Sequence, residues 1–152
     1  MDPKGAEKYL RTKVLTATAE QLQMMLFDAS IRNCEFAKIA LEKKDYEKSY
    51  QSLTKAQAIV NQLICALKPD AAPDLCKKLK SLYLFAYKRL VDANLNHNIN
   101  SLDEALNVLK YQRETWAMLM EQLGKAKAAN VAAKMEFPSP NARMEASISM
   151  QG

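Results

Sequence analysis

Apolar residues recur three and four positions apart along four stretches of the chain, the period of a helix with one face turned inward. The first stretch opens at Thr18 and runs to about Lys43, with Leu22, Met25, Leu26, Ala29, Phe36, Ala37, Ala40 and Leu41 in step. Thr18 and Gln21 have the spacing of a capping box, in which the hydroxyl accepts from a free backbone N–H and the Gln side chain reaches back. Asp45 is placed to cap a second helix. Its inward positions read Tyr46, Tyr50, Leu53, Ala56, Val60, Leu63, Ile64 and Leu67, and Pro69 stops it. The connector KPDAAPD is turn chemistry, and Pro73 suits the first turn of a third helix. That helix carries Leu75, Leu79, Leu82, Tyr83, Ala86, Leu90 and Ala93 and gives way at NLNHNIN. Ser101 and Glu104 form a second capping box. The fourth helix presents Leu102, Ala105, Leu106, Leu109, Trp116, Met120 and Leu123, with Gly124 as its C-terminal cap.

Helices of about 22–26 residues are roughly 33–39 Å long at 1.5 Å per residue. Short links make neighbours antiparallel. The pattern therefore predicts an all-α fold, an antiparallel up-down-up-down four-helix bundle over residues 18–124. Residues 1–17 read as a flexible N-terminal arm. Residues 125–152 read as a C-terminal extension, helical over KAKAANVAAKME and then disordered, because the remainder holds two prolines and many small polar residues.

The run Met24-Met25-Leu26-Phe27 is too wide for one stripe. On a wheel of 100° per residue, Leu22, Met25, Leu26, Ala29, Phe36 and Ala40 cluster on one side. Met24, Phe27, Ile31 and Cys34 cluster on the other. The expectation is that the first stripe fills the bundle and the second faces out as a partner-binding groove. The third helix repeats the arrangement more weakly, with Leu84, Tyr87 and Val91 opposite Leu75, Leu82 and Ala86. An outward apolar stripe needs a cover. The candidates are the arm, through Tyr9, Leu10 and Val14; the tail, through Val131, Met135 and Phe137; a second copy of the chain; or a foreign helix or extended peptide.

Composition narrows the function classes. The 152 residues are 49% hydrophobic and 26% charged, with three Gly and five Pro, as in a helical protein that buries a core. No apolar run is long enough to span a membrane, and MDPKGAEKYL lacks the apolar centre of a secretory signal, so the expected location is the cytoplasm. Net charge is +5, but residues 1–18 and 125–152 each carry four basic and two acidic side chains. The near-neutral body argues against nucleic acid as the partner. Cys34, Cys65 and Cys76 are widely spaced and read as reduced thiols. The single histidine, His97, falls in a loop with no Glu three residues before it. No catalytic residues, metal site or cofactor are expected. Arg113 and Gln112 fall beside Leu109 and Trp116. Arg113 either lays its stem on the core with its head in water or forms a buried ion pair.

Three segments carry a resemblance: TATAEQLQMMLFDASIR with Tyr9 and Val14 before it, LYLFAYKRLVDANL, and LNVLKYQRETW. Over about residues 9–120 the sequence resembles the flagellar secretion chaperones of the FliS type. Ala19 stands where those proteins commonly have proline, and Ala72-Pro73 where Gly-Gly is frequent. The resemblance implies a helical bundle that holds the C-terminal segment of flagellin, prevents premature polymerisation and keeps the client fit for type III export. It also implies docking of the loaded complex on the membrane-embedded export gate, and an arm near the groove with Tyr9 at its tyrosine position. No nucleic acid and no membrane insertion are expected, and the chain is expected to be a monomer or weak homodimer. A homodimer or an adaptor for another helical partner is the alternative.

Overall fold

The structure, a computed structural model, describes residues 3–70 and 72–135, and among them the only regular elements are helices. They are α1 (Pro3–Thr16), α2 (Ala19–Glu42), α3 (Tyr46–Cys65), α4 (Pro73–Asn96) and α5 (Ile99–Met135). The chain divides into two compact units, Met1–Trp116 and Ala117–Gly152. The first contains the all-α bundle, built from α2, α3, α4 and the start of α5.

Local signals set most helix ends. Thr18 and Gln21 make both bonds of the capping box, at 3.1 and 3.0 Å. The Asp45 carboxylate accepts from the Lys48 N–H at 3.2 Å, and Pro73 stands in the first turn of α4. Between α2 and α3, Lys44 takes the left-handed conformation (φ 59°) that lets the chain reverse within three residues.

Three ends differ from expectation. The arm is helical as α1, though none of its residues is buried. The cap of α5 is Asn98, whose side-chain oxygen accepts from the Ser101 N–H at 3.2 Å, and not Ser101. Ser101 is buried and donates its hydroxyl to Asp92, while Glu104 pairs with Arg89 at 4.0 Å. Gly124 does not end α5. A lone glycine costs only about 1 kcal/mol against alanine in a helix, and good helix formers follow it. The extension after residue 135, including Phe137, lies outside the described residues.

The bundle core follows a strict 3–4 spacing on every helix. It runs Phe27, Ser30, Cys34, Ala37, Leu41 on α2 and Ser49, Leu53, Ala56, Val60, Leu63 on α3. It continues as Tyr83, Ala86, Leu90, Ala93 on α4 and Leu102, Ala105, Leu109, Gln112 on α5. This seven-residue repeat keeps one seam facing the partners as helices wind around each other. The buried Ser30 and Ser49 hydroxyls bond to the Phe27 and Tyr46 carbonyls of their own helices, so neither leaves an orphaned polar group.

Side-chain pairs fix which helices are neighbours. Against α5, Asp28 meets Arg113 at 2.8 Å, Glu35 meets Lys110 at 3.4 Å and Lys38 meets Asp103 at 2.9 Å. Numbers rising on α2 while falling on α5 make this pair antiparallel. Gln57 accepts from Asn94 between α3 and α4. At the turn end, the Tyr46 ring stacks on His97 with centroids 3.9 Å apart, tying the α2–α3 turn to the α4–α5 turn. Such half-exposed ion pairs contribute little stability each, but acidic, acidic, basic on α2 against basic, basic, acidic on α5 favours one register.

Candidate partner-binding surface

Each bundle helix has two neighbours, so its apolar arc must be wide enough to meet both. On α2 the flank holding Asp28, Ile31, Glu35 and Lys38 is turned to α5, and the flank holding Phe36, Ile39 and Ala40 lies beside the start of α3. The two stripes of α2 therefore flank the core seam, and neither is simply inside or outside.

This overturns one expected groove residue. Phe27 is 1% exposed, in the middle of the core, with its ring tilted against Tyr83 at 6.3 Å. Cys34 is likewise fully buried. The residues that mark the true centre of the α2 seam are Ser30, Cys34 and Ala37. They are small and weakly apolar, so a wheel weighted by hydrophobicity passes over them and splits the seam in two. Burial pushes the Cys34 thiol up to about 12, helped by the neighbouring Glu35, and the same desolvation pushes the Tyr83 phenol up to about 12. Both groups are structural, held neutral in an apolar site. Met24 and Ile31 are half-buried, and Ile31 packs against the core.

The side chains that do face solvent lie elsewhere. Phe36, expected inward, and Ile39 are 55% and 49% exposed. With Ala40, Lys43, Lys48 and Ser52 they line a groove of about 400 Å³ between the end of α2 and the start of α3. Tyr46 and Tyr50, expected inward, are exposed on α3. On α4 the buried line Tyr83, Ala86, Leu90, Ala93 leaves apolar residues on both flanks. One flank holds Leu84, exposed, with Tyr87 and Val91 half-buried. The other holds Leu82 and Phe85, both exposed and neither picked out as partner-facing by the sequence. Heptad spacing with small residues counted as seam would have found Phe36, Ile39, Leu82 and Phe85.

On α1, Tyr9, Leu10 and Val14 are exposed. An arm lying over Phe27 is excluded, because the core already covers that ring. Val131 and Met135 belong to α5.

Arg113 settles between its two readings. Its Nε donates to Asp28 and a terminal nitrogen to Glu114, with a third of the side chain in water; these partners, Asp28 first, raise its already high pKa. Gln112 is buried. No cluster of three or more metal-ligating side chains occurs among the described residues, and no described helix is long and apolar enough to cross a membrane.

Comparison with known proteins agrees in kind. The family model described as flagellar protein FliS matches residues 2–123. A flagellar secretion chaperone FliS of Bacillus subtilis (strain 168) is 28% identical over 113 residues, covering 74% of this chain and 84% of that protein. The Escherichia coli (strain K12) protein of the same name is 26% identical over 118 residues, covering 74% and 87%. A crystal structure of a bacterial flagellar chaperone superposes with a TM-score of 0.64 at 17% identity, over 80% of this chain and 99% of that one, a likeness of fold.

Proposed function

Because the chain belongs to the flagellar protein FliS family, whose members are export chaperones and not enzymes, we propose that its client is the C-terminal segment of flagellin. The observation that carries this reading is the family match, which spans the whole bundle unit. The surface supports it. Exposed or half-buried apolar side chains sit on separate seams, at Phe36 and Ile39 and at Leu84, Tyr87 and Val91, an arrangement suited to an extended client that wraps. Met24 and Ile31 border the α2–α5 seam and serve as rim. Tyr9, Leu10 and Val14 of α1 supply a further apolar face.

The mechanism is coupled folding and binding. A client segment without structure gains helix as its apolar residues enter the seams, and the surface it needs for polymerisation is thereby occupied. The complex stays in the cytoplasm until it reaches the export gate in the membrane. No cofactor takes part. Calorimetry against about the last 40 residues of a flagellin from the same organism tests the reading, with a large negative heat-capacity change as the expected mark of apolar burial. Phe36→Ser with Ile39→Ser weakens binding at unchanged helicity. Absence of binding heat at several temperatures refutes the client.

A further inference from the structure

Charge in the bundle is segregated in a way the whole-chain balance hides. From Leu75 to Val91, α4 carries Lys77, Lys78, Lys80, Lys88 and Arg89 and no acidic residue. Within that span Lys78, Leu82, Phe85 and Arg89 stand at i, i+4, i+7 and i+11, one straight row on the helix surface. Leu82 is 39% and Phe85 44% exposed. A cation stands at each end of the row and an apolar pair in the middle. The row runs along the side of α4 that meets α5, as the pairing of Arg89 with Glu104 shows.

Arg89 is under-used where it stands. Its guanidinium lies over the Phe85 ring at 5.8 Å, and among the described residues its ion pair is stretched to 4.0 Å and its buried Nε has no hydrogen-bond partner. A guanidinium has five donors in a planar fork matched to a carboxylate. More than a third of this side chain is exposed, so an arriving carboxylate can reach its terminal nitrogens and improve on the stretched contact.

We propose that the Lys78–Leu82–Phe85–Arg89 row is a docking site for an acidic amphipathic helix: apolar residues one turn apart seat on Leu82 and Phe85, and flanking Asp or Glu side chains pair with Lys78 and Arg89. Complementary charge steers the approach and the apolar pair holds the complex. A nucleic-acid backbone fits less well. It would use the cations, but it has no apolar edge for Leu82 and Phe85, which are exposed between them. This site lies on the other flank of α4 from Leu84, Tyr87 and Val91, so it does not rest on flagellin being the client.

The full chain is titrated with a fluorescent synthetic helix of about 18 residues, roughly 27 Å long, bearing leucines at i, i+4 and i+7 flanked by glutamates. Saturable binding is expected, weakened about tenfold or more by Phe85→Ser and by Lys78→Glu at unchanged circular dichroism. A counterpart peptide with lysine for every glutamate should not bind. Equal affinity for both peptides, or indifference to both substitutions, overturns the proposal. So does a single-stranded oligonucleotide that competes for the row with a log–log salt slope near −0.7 per neutralised phosphate, which would make the face a nucleic-acid site. Flagellin-segment binding, measured alongside, separates failure of this site from failure of the client reading.

Discussion

Replacing Phe27 by alanine distinguishes a core ring from a groove ring by magnitude alone. Phe27 is fully enclosed with Tyr83 as an aromatic neighbour, and its surroundings come from rigid helices that close only partly on a void. Loss of a buried phenylalanine costs about 3–5 kcal/mol. The total stability available to a domain is about 5–15 kcal/mol. For a protein near this size each kcal/mol moves the melting midpoint about 2–4 °C, so Phe27→Ala should melt roughly 6–20 °C lower. The same change at Phe36, more than half exposed, should shift stability by no more than about 0.5 kcal/mol. Urea unfolding followed by far-ultraviolet circular dichroism reads both variants. A double-mutant cycle with Tyr83→Leu should return a coupling of about 0.5–1.5 kcal/mol for the ring pair. The reasoning fails if Phe27→Ala costs under about 1 kcal/mol while abolishing partner binding, for that is how an outward groove residue behaves.

Other expectations follow from single contacts. A thiol reagent at mildly alkaline pH should modify Cys65 and Cys76 in the native protein and reach Cys34 only with denaturant, since Cys34 is buried and held neutral; three native-state thiols would contradict the packing. Asp92 is held below the ordinary carboxylate range by hydrogen bonds from Ser101 first and then Asn96, with Asn98 and Arg89 adding to them against a desolvation penalty. Its stabilising contribution is therefore present above the unfolded value of about 3.9 and lost as pH falls through the lower folded value. Asp92→Asn should lower the urea midpoint near neutral pH, and the gap to wild type should close in acid; a gap that stays constant refutes the assignment. Gly124→Ala should raise the helix content of α5 and stabilise it by about 0.5–1 kcal/mol, because an added methyl group meets no atom within 4 Å and the glycine has no positive φ. Slower amide exchange around residue 124 is the readout, and faster exchange would count against it.

What the sequence revealed was what it encodes locally. Thr18 with Gln21, Asp45 and Pro73 act on backbone within one turn, so their roles could be read from spacing alone. Ser101 misled because the group that claims its hydroxyl, Asp92, sits nine residues back on another helix. The bundle was legible from the four apolar stretches. The orientation of each helix was not, because the innermost positions of α2 are Ser30, Cys34 and Ala37, chosen for size where helices approach closely. An error of about a quarter turn on α2 was enough to exchange Phe27 for Phe36. Tyr46 and Tyr50 misled for a related reason: an aromatic at helical spacing counts as core on a wheel, although it can equally cover a seam from outside.

The bundle closes through groups very far apart in the chain. The indole Nε1 of Trp116 donates to the carbonyl oxygen of Glu20 at 3.1 Å, joining α2 to α5 across 96 positions. Adjacent helices meet after short loops, whereas this pairing must wait for the intervening chain to be laid down, and long loop closure is what slows assembly. Trp116 is the only tryptophan. Tryptophan fluorescence thus reports on the joint between α2 and α5, and a stopped-flow refolding trace in that channel is expected to lag the growth of helix seen by circular dichroism.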